Sequence, residues 1–164
     1  MHPAALDDAA LLAQCDERRT KGSGPGGQHR NKVETKVVLI HRPTGLQGMA
    51  GERRSQEENR GMALRRLRLA LAVEVRTPPG DRPSPLWLSR CRGGRIACNP
   101  GHRDFPAMLA EAMDGLGLGG YRPPEASAFL GCTPTQLVRL LKDHPPAFLR
   151  LNAERAARGL RPLR

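Results

Sequence analysis

The segment with the clearest chemical potential is the run from Gly22 to Lys32, which reads Gly-Ser-Gly-Pro-Gly-Gly-Gln-His-Arg-Asn-Lys. Its centre is Gly26-Gly27-Gln28, and adjacent glycines adopt backbone conformations that are closed to other residues. A backbone N–H held there can donate to the charge that develops on an oxygen in a transition state. A carboxamide is not a base at neutral pH, so the Gln28 side chain cannot abstract a proton. The sequence therefore predicts a flexible, cationic loop with Gly-Gly-Gln at its tip.

This run does not match two common glycine-rich motifs that bind phosphate groups. A P-loop ends in Gly-Lys-Ser/Thr, and a dinucleotide-binding turn opens a helix, but the sequence has neither feature here. His29 invites either a catalytic or a contact role, and both stay open. We expect Asn31 and Thr35 to satisfy backbone groups at the base of the loop.

The charge of the chain indicates a polyanionic partner. The 27 Lys and Arg residues exceed the 16 Asp and Glu residues, which gives a net charge of +11. A soluble protein from an arginine-rich genome would show the same excess, but residues 18–42 alone hold seven cations against one acid. Residues 1–82 contain no aromatic side chain, so this half cannot stack on bases. It is expected to meet phosphates or the shape of a folded RNA.

Two predicted strands flank the loop. Alternating side chains predict one strand over 12–19, and the short apolar run within Lys36–His41 predicts a second. The composition of residues 42–45 predicts a turn, and 46–50 can return as the hairpin partner.

A helix should follow the hairpin. Ser55 with Glu58 forms a capping box, and Leu64, Leu67 and Leu71 repeat on one face. The prolines that follow residue 76 end the pattern. The predicted fold class is α+β: a small antiparallel sheet with one packed helix and an exposed Gly-Gly-Gln loop, followed by a mostly helical C-terminal region.

The second half of the chain divides further. We predict a domain over 1–76, a Pro/Gly/Arg-rich linker over 77–104 and a basic helical region over 105–164. A helix begins at Phe105 and breaks over 115–120, and a last short helix covers 147–158. Residues 124–142 have the spacing of a helix-turn-helix, which either contacts nucleic acid or packs without reading sequence.

The cysteines allow two interpretations. Cys91, Cys98 and His102 could hold zinc if Cys132 or His144 completed the set. The spacing matches no common site, so scattered free thiols are favoured and we predict neither a metal nor another cofactor. Four cysteines do not make a disulfide framework, and a cytoplasmic location is expected. No run approaches about eighteen apolar residues, no signal peptide is expected at Met1 to Leu12, and we predict no membrane contact.

Several separated motifs, taken in order, resemble the catalytic domain of the class I peptide chain release factor family. The chain reads Gly24-Pro25-Gly26-Gly27-Gln28, then Asn31, then Thr35-Lys36-Val37, then His41-x-Pro43-Thr44-Gly45 and Arg54-Ser55-Gln56-x-x-Asn59-Arg60. The resemblance covers roughly residues 10–76. Arg30 stands where the family often has an apolar residue, and Lys21-Gly22 replace a pair such as Arg-Ser.

The resemblance implies hydrolysis of the ester between a nascent peptide and its tRNA. Gly26, Gly27 and Gln28 would be catalytic, with the main-chain amide of Gln28 stabilising the transition state and its side chain positioning water. The implied partners are the peptidyl transferase centre of the large ribosomal subunit, peptidyl-tRNA and ribosomal RNA. A glutamine methyltransferase that acts on Gln28 is a further candidate partner, and we expect a monomer.

Codon independence is also expected, because only 23 residues precede Gly24 and leave no room for a decoding domain. The chain thus looks like small homologues that rescue stalled ribosomes. A ribosome- or nucleic-acid-binding module without hydrolysis is the alternative. The residues expected to contact RNA are Lys21, Arg30, Lys32, Arg139, Arg155, Arg158, Arg161 and Arg164.

Overall fold

The computed structural model describes residues 1–21 and 35–164. They form two compact units, one of residues 6–71 and one of residues 1–5 with 72–164. In these described ranges, no helix combines the length and the apolar character that crossing a bilayer requires. The division into domains at residues 76 and 104 stays a prediction.

The first unit is a three-stranded antiparallel sheet with helices. The strands follow the order β1-β2-β3. The elements in chain order are α1 (Asp8–Leu12), β1 (Cys15–Thr20), β2 (Lys36–His41), β3 (Gln47–Ala50) and α2 (Gln56–Glu74), whose residues up to Leu71 belong to this unit.

The core of this unit follows from two periodicities. In β2 alternate side chains are buried, including Val37 and Leu39, and in α2 the residues Ala63, Leu67 and Leu71 are fully buried on one face. The predictions of strand Lys36–His41, of its hairpin partner and of the following helix are confirmed.

The predicted start of the first strand is wrong. Residues 8–12 form α1 instead, because the Asp7 side chain caps this helix by accepting from the Ala10 N–H at 2.8 Å. The strand therefore begins at Cys15 rather than at residue 12. The helix buries Leu11 completely.

The second unit is mainly helical. It opens with a 3-10 turn at Pro3–Ala5 and contains a short antiparallel hairpin. Its further elements are α3 (Pro85–Arg90), β4 (Cys91–Arg92), β5 (Arg95–Ile96), α4 (Phe105–Leu118), α5 (Pro123–Leu130), α6 (Pro134–Lys142) and α7 (Pro145–Ala156). The α+β class, with a small antiparallel sheet and a helical C-terminal region, is confirmed.

Two predicted helix limits are wrong in this unit. The helix from Phe105 continues through Gly115 to Leu118, because Gly115 lies against Leu130 of α5, where a Cβ would come within 3.0 Å of Leu130 Cδ1. The last helix begins at Pro145 rather than at residue 147, since prolines fit the first turn of a helix.

The helix-turn-helix spacing corresponds to α5 and α6, joined through Gly131 in a left-handed conformation (φ +67°). Thr133 Oγ1 accepts from the Gln136 N–H at 3.2 Å, as a helix cap does. The Gln136 side chain does not return to the Thr133 backbone, whose N–H donates to the Gly94 carbonyl at 3.0 Å. Its Oε1 accepts from the Ile96 N–H at 3.1 Å and so ties β5 to α6.

Candidate functional site

The residues predicted to be catalytic or to flank the catalytic residues lie outside the described ranges. The structure describes the strands on either side of them. This group comprises Gly26, Gly27, Gln28, His29, Arg30, Asn31 and Lys32. On either side, β1 and β2 pair up to their adjoining ends, with Arg19 opposite Val37 and Thr20 opposite Lys36. The segment that carries Gln28 therefore starts and ends on neighbouring, hydrogen-bonded strands.

A buried asparagine anchors the β2 end. Asn59 of α2 is completely buried, and its amide nitrogen donates to the Thr35 carbonyl at 2.7 Å and to the Arg53 carbonyl at 2.9 Å. Its carbonyl oxygen accepts from the Arg53 N–H at 3.0 Å. One side chain thus joins α2, the start of β2 and the chain just before the helix.

Charged side chains connect the β1 end to the same helix. Glu17 accepts from Arg60 Nε at 2.8 Å and from Arg19 Nε at 3.1 Å. Arg19 also donates to Gln56 Oε1 at 3.2 Å. The hydrogen bond from Arg60 lowers the pKa of the Glu17 carboxyl and raises the pKa of the Arg60 guanidinium. This exposed network contributes modestly to stability, but it orients the end of β1.

Replacing Asn59 by Ala should loosen the base of the loop. The change leaves the buried Thr35 carbonyl, and the partly buried carbonyl and N–H of Arg53, without these partners, and we expect a loss of about 2–3 kcal/mol in the free energy of unfolding. Urea denaturation and hydrogen exchange of the β2 amides measure it. Gln47→Ala, at an exposed position of β3, is the matched control and should change stability by less than about 0.5 kcal/mol. A loss below about 1 kcal/mol in Asn59→Ala would contradict the anchoring role.

Sequence reasoning noted Asn59 in a motif but did not find this function. The signal was available: Asn59 precedes Ala63, Leu67 and Leu71 at intervals of four, so it lies on the buried face of α2. A polar side chain on an apolar face requires buried partners.

The remaining predicted RNA contacts have different surroundings. Lys21 is exposed just after β1. Arg155 donates to the Tyr121 carbonyl at 2.8 Å and to the Arg161 carbonyl at 3.0 Å. Arg158 donates to the Glu154 carboxylate at 2.6 Å and lies 4.4 Å above the Tyr121 ring centroid. Arg155 and Arg158 therefore both make contacts within the helical unit.

The zinc interpretation finds no support in the described part of the chain, where no three His, Cys, Asp or Glu side chains come together to hold a metal. His102 lies 3.0 Å from Arg90 Nη2 and 3.1 Å from the Asp104 amide nitrogen. Burial, with a smaller contribution from Cys91, raises the pKa of the Cys132 thiol to about 11. A metal ion would have to displace the proton of this thiol in order to bind it.

Comparison with known proteins identifies the part of the chain that holds the loop. The RF-1 domain family matches residues 12–81. A mitochondrial peptide chain release factor-like protein of Saccharomyces cerevisiae is 46% identical over 81 residues, which cover 49% of this chain and 52% of the relative. The chloroplastic peptide chain release factor PrfB1 of Arabidopsis thaliana is 38% identical over 81 residues, 44% of this chain and 18% of the relative.

A bacterial relative gives the same picture. Peptide chain release factor 2 of Acidovorax sp. (strain JS42) is 47% identical over 74 residues, 43% of this chain and 20% of the relative. The chain thus spans about half the length of the yeast relative and a fifth or less of the other two. The family match and these relatives agree: residues 12–81 of this chain match the RF-1 domain of the class I peptide chain release factor family.

Proposed function

We propose that this chain hydrolyses the ester bond of peptidyl-tRNA on the ribosome, without a codon requirement, and so releases peptides from stalled ribosomes. The observation that carries the proposal is the family match over residues 12–81, because the segment with Gly26, Gly27 and Gln28 lies within it.

In the proposed mechanism the main-chain N–H of Gln28 donates to the oxygen that gains charge as water attacks the ester. The Gln28 side chain positions that water and excludes larger nucleophiles. No residue of the loop removes the proton, since an amide is not a base, and this part falls to the ribosome and the tRNA ribose. Gly26 and Gly27 allow the close approach of the backbone.

The surrounding cations suit a site made of RNA. Lys21, Arg30 and Lys32 would neutralise phosphates of the peptidyl transferase centre. The network of Glu17, Arg60 and Arg19, together with the Asn59 anchor, would hold the two ends of the loop during this encounter. The chain is proposed to act as a monomer in the cytoplasm, where ribosomes translate, and to be a substrate of a glutamine methyltransferase at Gln28.

Codon independence is the finer part of the proposal. Residues 82–164 lie outside the family match, so reading a stop codon would need a surface that the match does not supply. The helical unit is instead proposed to help the chain bind ribosomes.

A release assay on three templates tests this function. Ribosomes carry labelled peptidyl-tRNA over a truncated message, a stop codon or a sense codon, and peptide release by the full chain is measured. We expect release on the truncated message and no preference for the stop codon. Release only at the stop codon would overturn codon independence. Ribosome binding without release on any template would favour the alternative of a binding module.

A further inference from the structure

The helical unit contains an open groove with a volume of about 720 Å³. One wall is the exposed face of α6, including Thr135, Val138 and Arg139. The other is formed by residues 155–164, and the first turn of α5 with the preceding Arg122 completes the lining. The two helices predicted from the helix-turn-helix spacing, α5 and α6, thus both contribute to a concave surface.

The wall formed by residues 155–164 is held by specific hydrogen bonds. The Asn152 side chain donates to the Leu163 carbonyl at 3.1 Å and accepts from the Leu163 N–H at 2.8 Å. Lys142 Nζ donates to the Arg164 carbonyl at 2.7 Å, which links this wall to α6. The groove therefore has a preformed shape.

The charge of the groove is strongly one-sided. Among its thirteen lining residues one is acidic, Glu125, and five are cationic: Arg122, Arg139, Lys142, Arg155 and Arg164. Arg122 and Arg139 are exposed, and no described residue accepts a hydrogen bond or forms an ion pair with either guanidinium. Their charges are thus available to a ligand.

We propose that this groove binds the phosphodiester backbone of RNA. Its charged side chains are almost all donors, and a phosphodiester backbone offers acceptors at every step. An acidic peptide fits less well, because each of its residues carries an N–H that needs an acceptor, and only Glu125 and Thr135 supply one from a side chain. No aromatic residue lines the groove, so binding does not use base stacking.

The proposal divides the basic residues of the helical unit by function. Arg139, Arg155 and Arg164 line the groove, and Arg122 and Lys142 join them. Arg158 and Arg161 do not line it. The preference for RNA over DNA rests on the proposed function, whereas the binding of a phosphodiester backbone does not.

Fluorescence anisotropy with a labelled single-stranded 12-nucleotide RNA tests the groove in the full chain, without ribosomes. The double variant Arg122→Gln/Arg139→Gln should weaken binding on the order of tenfold, and the slope of log affinity against log salt should fall by about 1.4, since each lost phosphate contact on a single strand removes about 0.7. Neither side chain has a described partner, so folding should persist and circular dichroism should be unchanged.

The matched control is Arg92→Gln/Arg95→Gln, which removes the same charge from exposed positions of the β4–β5 hairpin. It should bind within about twofold of the wild type. Equal losses in both double variants would overturn the groove. Stronger competition by polyglutamate than by unlabelled RNA would contradict a phosphodiester backbone as the ligand. Tighter binding of the same sequence as DNA would contradict the preference for RNA. If the chain binds RNA through the groove but releases no peptide, the proposed hydrolysis is contradicted and the proposed RNA binding by the groove is still supported.

Discussion

Peptide release from ribosomes stalled on a truncated message is expected to fall by about a hundredfold or more when Gln28 is replaced by Ala. The variant keeps a main-chain N–H at position 28 but loses the carboxamide that positions water, so the attacking water is neither oriented nor selected. Single-turnover release of labelled peptide, with enzyme in excess over ribosomes, measures the chemical step. The thermal midpoint of unfolding should stay at the wild-type value, because the change removes a side chain proposed to act on substrate.

Gln47→Ala makes the same chemical change at an exposed position of β3 and should release peptide at the wild-type rate. A companion variant, Gly27→Ala, tests the backbone and should be equally impaired, since it restricts the conformations open to the chain beside Gln28. Wild-type release by Gln28→Ala would remove this residue from the mechanism. A large loss of thermal stability in either variant would make the loop a structural element instead.

The parts of the fold that the sequence predicts well are those with local causes. The strand Lys36–His41 is a short run of four consecutive β-branched or apolar residues followed by a turn, which is typical of a strand, and Val37 and Leu39 of this run are buried. The helix that follows begins where Ser55 Oγ accepts from the Glu58 N–H at 3.3 Å. The helix cap, the repeat of leucines on one face and the proline-rich end are enough to predict this helix, because each of them acts within a few residues.

The errors arise where distant residues decide. Gly115 reads as a helix breaker, yet α4 continues because its missing side chain leaves room for Leu130. Trp87 is a missing prediction rather than an error: no helix or strand could be assigned around it from the sequence, yet it is fully buried and donates to the Leu130 carbonyl at 2.7 Å. A single aromatic residue in such a stretch gives no period from which its burial can be inferred.

The candidate site divides in the same way. The motif around Gln28 can be recognised from the sequence alone, because it is defined by the spacing of its residues. Which arginines are available to a ligand cannot be inferred from the sequence, because that depends on tertiary partners. Arg158 lies 4.4 Å above the Tyr121 ring centroid, whereas the Arg122 guanidinium has no partner among the described residues and was not predicted at all. Charge alone cannot separate these two cases.

The largest expected effect on stability comes from Gly48→Ala in β3. A Cβ at residue 48 would lie 2.1 Å from the Ala63 carbonyl oxygen and 2.5 Å from the Leu67 backbone nitrogen of α2. These atoms belong to the helix backbone, so no side-chain rotation relieves the overlap and the strand must separate from the helix. We expect a loss of about 3 kcal/mol or more in the free energy of unfolding, a large share of a typical domain's stability.

Gly61→Ala is the matched control for that loss, because it adds the same methyl group within the same unit. Gly61 lies on the exposed side of α2, where a Cβ would meet nothing within 4 Å, and alanine should stabilise the helix by about 0.5–1 kcal/mol. Urea denaturation followed by far-UV circular dichroism compares the two variants. Opposite signs would show that the close approach of β3 to α2 sets the cost, since helix and strand propensity alone predict a benefit at both positions. Stabilisation by Gly48→Ala would mean that β3 and α2 are not in contact at this point.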